Sequence, residues 1–113
     1  MHEYSIVQSL LESCEEHVKD NDAKEVTKVI VKIGVLSGVE PDLLQTAFDT
    51  FKEHTVCNDA QFIINHQKVV IECFDCNTTS TLEKNDFCCP ICESVKIKVI
   101  DGEDMYLMSL EMN

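Results

Sequence analysis

Val7, Leu10, Leu11, Cys14 and Val18 recur at helical spacing near the start of the chain, with Glu12, Glu15, Glu16 and Lys19 between them. An apolar stripe backed by a charged face predicts an amphipathic helix over roughly residues 4–20, ended by Asp20-Asn21-Asp22. The period then changes to two. From Val26 to Leu36, Val29, Val31, Ile33 and Val35 share one face and Lys28 and Lys32 the other, which predicts a half-buried strand with an end loosened by Gly34, Ser37 and Gly38. Pro41 suits the first turn of a second helix, and Leu43, Leu44, Ala47, Phe48 and Phe51 mark its buried face up to about His54. Gln61–Asn65 and Lys68–Cys73 read as short strands. Val95–Ile100 and Met105–Glu111 read as a hairpin closed around Asp101-Gly102. The pattern predicts an α/β (α+β) fold, with two helices packed on a small mixed β-sheet.

Interrupting that pattern are Cys73, Cys76, Cys89 and Cys92, two C-x-x-C pairs with residues 77–88 between them. This is the spacing of a tetrahedral four-cysteine knuckle, and the intervening stretch is long enough to double back as a hairpin. Four soft thiolates select zinc or iron-sulfur chemistry, and a closed shell leaves no open position for water or substrate, so the site reads as structural zinc. A rubredoxin-like iron centre for electron transfer is the rival. The turns Cys76-Asn77 and Cys92-Glu93 weigh against it, because they lack the glycine that lets backbone N–H groups face sulfur. Cys88 is out of knuckle register, and Cys14 and Cys57 read as small core residues. The knuckle segment, residues 73–93, is expected to be an inserted zinc-ribbon domain, with 1–72 and 94–113 forming the α/β domain around it.

The 113 residues suffice for one compact domain with a metal-held appendage, and 44% hydrophobic content supports a core. The start, Met-His-Glu-Tyr-Ser, lacks the basic region of a signal peptide and no apolar run approaches a membrane span, so a cytoplasmic protein with reduced thiols is expected. Formal charge is -12, and all nine basic residues are lysine. Without arginine and with an acidic knuckle segment, nucleic-acid binding is excluded. The chain lacks a Walker A motif and a nucleophile–base–orienter set, so enzyme activity is not expected.

His2 has a chemistry of its own. Its imidazole Nδ1, its amide nitrogen and the α-amine of Met1 can chelate one ion in fused planar rings, which favours Ni(II) or Cu(II) over Zn(II). Glu3 and Glu40 stand where each could instead favour the positive end of the helix that follows. His17, His54 and His66 have ordinary surface readings.

Met1-His2-Glu3 at the start, Lys32-Ile33-Gly34 before Val39-Glu40, and the two late knuckles together resemble the HypA/HybF family over essentially the whole chain. The resemblance implies a nickel metallochaperone for maturation of nickel-iron hydrogenase, with an α/β nickel domain and an inserted zinc domain. It implies nickel at Met1, His2 and Glu3 with Glu40 close by, and zinc at Cys73, Cys76, Cys89 and Cys92. It further implies a HypB-type GTPase and the hydrogenase large-subunit precursor as partners, urease accessory proteins as additional ones, and a monomer or homodimer.

Overall fold

The computed structural model describes residues 2–84 and 86–113, and all of their side chains except that of His2. The elements run α1 (His2–Asp20), β1 (Val26–Gly34), α2 (Pro41–Phe51), β2 (Gln61–Gln67), β3 (Val70–Cys73), β4 (Thr79–Thr81), β5 (Ile97–Asp101) and β6 (Met105–Met112). Among the described residues this is a mixed α+β fold of two helices and two three-stranded sheets, ordered β2-β1-β6 and β4-β3-β5. No helix among the described residues is long and apolar enough to cross a membrane.

The chain forms two compact units. The first comprises Met1–Lys32, Val39–Asn65 and Tyr106–Asn113; the second comprises Ile33–Gly38 and His66–Met105. In the first, the α1 stripe Val7, Leu10, Leu11, Cys14 and Val18 is buried together with Val26, Val29 and Val31 of β1 and with Leu44 and Phe48 of α2. Two aromatic pairs fix the packing. Phe48 stacks on Phe62 of β2 with ring centroids 4.2 Å apart, and Tyr4 of α1 meets Phe51 of α2 edge-on at 4.6 Å. α2 starts where Pro41 predicts but ends at Phe51, three residues before His54. Lys52 caps it by donating its N–H to Phe48, and His54 takes a left-handed φ of 64° that a helix cannot continue.

The second unit has its own core of Val69, Ile71, Cys73, Leu82 and Cys89, with Cys76, Ile97 and Val99 packed against it. Strand β3 is its centre. It pairs antiparallel with β4 (Ile71↔Ser80) and with β5 (Ile71↔Val99), so the first knuckle sits at the tip of the β3–β4 hairpin. The unit therefore takes in more chain than residues 73–93, because a cysteine cluster alone has no apolar layer and the flanking strands supply one.

One expectation is corrected. Val95–Ile100 and Met105–Glu111 do not form a hairpin with each other, nor does β5 join the main sheet; β5 pairs with β3 while β6 pairs with β1. The cause lies at the turn. Gly34 donates to Asp104 and Leu36 to Gly102, both at 2.9 Å, so the acceptors of the turn are taken by the end of β1. Gly34 and Gly102 touch backbone to backbone, since a Cβ on Gly34 would stand 2.3 Å from the Gly102 carbonyl. Val35, expected on the buried face, lies beyond the strand and is exposed.

Candidate metal centre

Four cysteines meet at the end of β3. The sulfurs of Cys73, Cys76, Cys89 and Cys92 all lie within 4.8 Å of one another, and among the described residues this is the one such grouping of three or more candidate metal ligands. Cys73 and Cys92 are 3.5 Å apart and Cys76 and Cys89 are 3.7 Å apart, each contact joining one knuckle to the other. Zinc–sulfur bonds of about 2.3 Å in a tetrahedron require sulfur–sulfur edges of about 3.8 Å. These two edges are close to that length and far longer than the ~2.05 Å of a disulfide. Cys88, half-buried beside Cys89, is outside the group, and burial raises its thiol pKa, helped by Asp86 and Glu93.

The knuckle backbones supply N–H groups to sulfur. Cys89 accepts from the Cys92 and Ile91 N–H groups, the latter at 3.4 Å, and the Cys92 bond is the larger cause of a thiol pKa brought down to about 6 against the opposing effect of burial. Cys92 takes a bond from the Ser94 N–H that favours its thiolate, yet desolvation and contact with Cys73, Cys76 and Cys89 push it up to about 12. Four thiolates this close repel, and a divalent cation at their centre removes that repulsion. Asn77 and Glu93, the residues after each knuckle, adopt φ of 54° and 63° without being glycine. The missing glycines therefore do not prevent knuckle turns, and their absence does not speak against iron.

A brace around the thiols has no counterpart in the cysteine spacing. Ser94 donates its hydroxyl to Asp75 and accepts from the Lys96 N–H at 3.0 Å, tying the first knuckle to the segment behind the second. Thr78 Oγ1 lies 2.9 Å from Cys76 Sγ. The visible signal was a hydroxyl residue two positions after the second cysteine of each pair: Thr78 after Cys76, Ser94 after Cys92.

In the other unit the structure brings Glu3 and Glu40 together. Glu3 is buried, and its Oε2 accepts the Glu40 N–H at 3.1 Å. That bond is the main cause lowering the Glu3 pKa; its own backbone N–H adds to it and desolvation opposes it. Glu40 occupies the N-cap position of α2 without a side-chain capping bond. His2 opens α1, while its imidazole and all of Met1 lie outside the described residues. His17 binds the Ser13 carbonyl through Nδ1 at 2.7 Å, His54 follows α2, and His66 is exposed on β2; none of the three joins either group.

Fold and site define a two-unit α+β protein with a candidate metal site: a helix-faced sheet with acidic residues at the helix starts, and a strand-based unit that gathers four cysteines. The chain belongs to the family described as "Hydrogenase/urease nickel incorporation, metallochaperone, hypA", whose model matches residues 1–112. It is 56% identical over 112 residues to the hydrogenase maturation factor HypA of Shewanella baltica (strain OS195), covering 99% of this chain and 96% of that protein. To the factor of the same name from Aquifex aeolicus (strain VF5) it is 53% identical over 112 residues, covering 99% and 97%. The solution structure of the Ni metallochaperone HypA from Helicobacter pylori is similar with a TM-score of 0.68 and 41% identity, covering 97% of this chain and 96% of that one.

Proposed function

We propose that this protein is a nickel metallochaperone that delivers Ni(II) during maturation of nickel-iron hydrogenase and holds one structural zinc. The observation that carries the reading is the family match over residues 1–112, which takes in both the Met1-His2-Glu3 start and the four clustered cysteines. Relatives named hydrogenase maturation factors at 48–56% identity support hydrogenase as the destination. The family description names urease beside hydrogenase, so urease maturation is the further destination to be tested.

Nickel is the cargo, held by Met1, His2 and Glu3 with Glu40 nearby. α1 begins at His2, so the amide of His2 belongs to the first turn, where N–H groups have no intrahelical acceptor. A helix N-terminus disfavours a bare cation. Loss of an amide proton on nickel binding and the ionised Glu3 carboxylate offset that penalty. A chain terminus with few ligands also permits exchange, which a delivery protein needs and an enzyme does not. Zinc at Cys73, Cys76, Cys89 and Cys92 supplies fold stability to the second unit and no open coordination position. The acceptor is the hydrogenase large-subunit precursor, with a HypB-type GTPase as the nucleotide-hydrolysing partner in the cytoplasm.

The test is transfer. Protein with its native amino terminus is loaded with nickel and mixed with nickel-free large-subunit precursor. Movement of the metal to the precursor, and loss of nickel-dependent hydrogenase activity in cells lacking the protein, are expected. Unchanged hydrogenase maturation in such cells would refute the reading; urease activity in the same cells distinguishes one destination from two.

A further inference from the structure

The three most exposed large apolar side chains of the second unit surround its sulfurs. Val95 is 78% exposed, Ile91 64% and Phe74 56%. Phe74 follows Cys73 inside the first knuckle, and Ile91 precedes Cys92 inside the second. The sulfurs of those two cysteines are 3.5 Å apart, and the Ile91 N–H donates to Cys89 Sγ at 3.4 Å. The Phe74 N–H donates to the Lys96 carbonyl at 3.0 Å. Val95 lies between that lysine and Ser94, whose hydroxyl is bonded to Asp75, so it too is fixed against the first knuckle. The unit has a core in Val69, Ile71 and Leu82 that none of the three joins. Apolar side chains gathered at the surface, on backbone already held by hydrogen bonds, mark a place that a partner covers, and their rigidity keeps the ordering cost of docking low.

Charge says what kind of partner. Residues 72–96 carry the acids Glu72, Asp75, Glu83, Asp86 and Glu93 against only Lys84 and Lys96. Asp75 directly follows Phe74, and Glu93 comes two positions after Ile91 and two before Val95. The complementary surface is a protein face with an apolar depression rimmed by lysine or arginine. A second copy of this chain fits poorly, because it brings the same acidic rim and a net charge of -12.

We propose that Phe74, Ile91 and Val95, with their acidic rim, form the surface by which this protein docks on its nickel acceptor, seating in a basic-rimmed apolar depression of the large-subunit precursor. The identity of the acceptor rests on the proposed delivery role, and the chemistry of the fit on the patch itself. Opposite charges steer the encounter, and the apolar centre slows dissociation. Docking through the four-cysteine unit makes no demand on Met1, His2 or Glu3, so holding the acceptor and releasing the cargo fall to different residues.

The test uses the full chain purified with zinc and the nickel-free large-subunit precursor as probe, with affinity read by surface plasmon resonance at several salt concentrations. Wild-type binding should weaken as salt rises, because screening removes the attraction of the acidic rim. A triple variant, Phe74→Ser with Ile91→Ser and Val95→Ser, should bind at least about tenfold more weakly. Its zinc content and unfolding temperature should stay those of wild type, since the three side chains are exposed before docking. Glu93→Lys should bind more weakly at low salt and flatten the salt dependence. Met108→Ser, which removes a 53% exposed side chain from β6 in the other unit, should keep wild-type affinity. The single variants Ile91→Ser and Val95→Ser decide the matter if the triple variant loses zinc. Equal binding by wild type and patch variants overturns the docking surface and leaves the delivery role standing, whereas a wild-type protein that does not bind the precursor overturns both. Equal weakening by Met108→Ser, or wild-type self-association that the patch variants abolish, also overturns the docking surface.

Discussion

The backbone N–H of Glu40 donates to Oε2 of Glu3 across 37 positions of sequence, joining the first turn of α1 to the N-cap of α2. One carboxylate thereby serves both helix starts, so neither glutamate acts only on the helix it begins. Edge-on packing of Tyr4 against Phe51 ties the start of α1 to the other end of α2 as well.

Because the Glu40 bond holds the Glu3 pKa below its ordinary 4.5, ionised Glu3 favours the folded state. The contribution is complete above about 4.5 and is lost as pH falls through the lower folded value. Glu3→Gln should therefore unfold at a lower temperature than wild type at pH 7, with the gap closing as pH is brought below 4.5. Melting curves of both proteins across that range provide the check, and a gap that widens on acidification is incompatible with the assignment.

One zinc per chain is expected, with removal by a chelator unfolding the second unit first, since structural zinc in small modules contributes on the order of 10–16 kcal/mol of apparent binding free energy. Cys89→Ser should lose the metal and Cys88→Ser should keep it, because Cys88 lies outside the sulfur cluster. Elemental analysis of the two variants reads this directly. A red, visibly absorbing protein would mean iron instead, an outcome that the left-handed Asn77 and Glu93 turns can accommodate.

Adding one residue ahead of Met1 should weaken nickel binding far more than zinc binding, since it turns an amine ligand into an amide. His2→Ala should do the same. Nickel affinity should also fall as acid protonates the imidazole near its reference pKa of about 6.5. Calorimetry on native, extended and His2→Ala proteins compares them; equal affinities would place the nickel site elsewhere.

Gly102→Ala should destabilise the protein by about 1–3 kcal/mol, the scale for a residue forced into disfavoured backbone conformation. Its φ is 99°, and the new Cβ would stand 2.9 Å from the Lys68 carbonyl oxygen and the Val69 Cα. Gly38→Ala is the control, with φ of 78° but no atom within 4 Å of the added carbon, so it isolates the conformational part. Denaturant titration of both variants separates conformation from crowding, and equal losses would remove crowding from the account.

Local signals carried much of the molecule. The stripe from Val7 to Val18 and the turn chemistry at Pro41 each depend on neighbours within a few positions, so α1 and the start of α2 were readable from periodicity alone. The four cysteines were likewise readable, because two C-x-x-C pairs constrain which sulfurs can share an ion before any fold is known. Strand partnership was not. Asp101-Gly102 looks the same whether β5 and β6 pair with each other or with different strands, and only Gly34 and Leu36, far away in sequence, take the turn's acceptors. The same is true of Glu3 with Glu40 and of Ser94 with Asp75. Helices, knuckles and family were all written in short spacings along the chain. Which distant groups meet was left to folding, because those contacts exist only once the chain has closed its long loops.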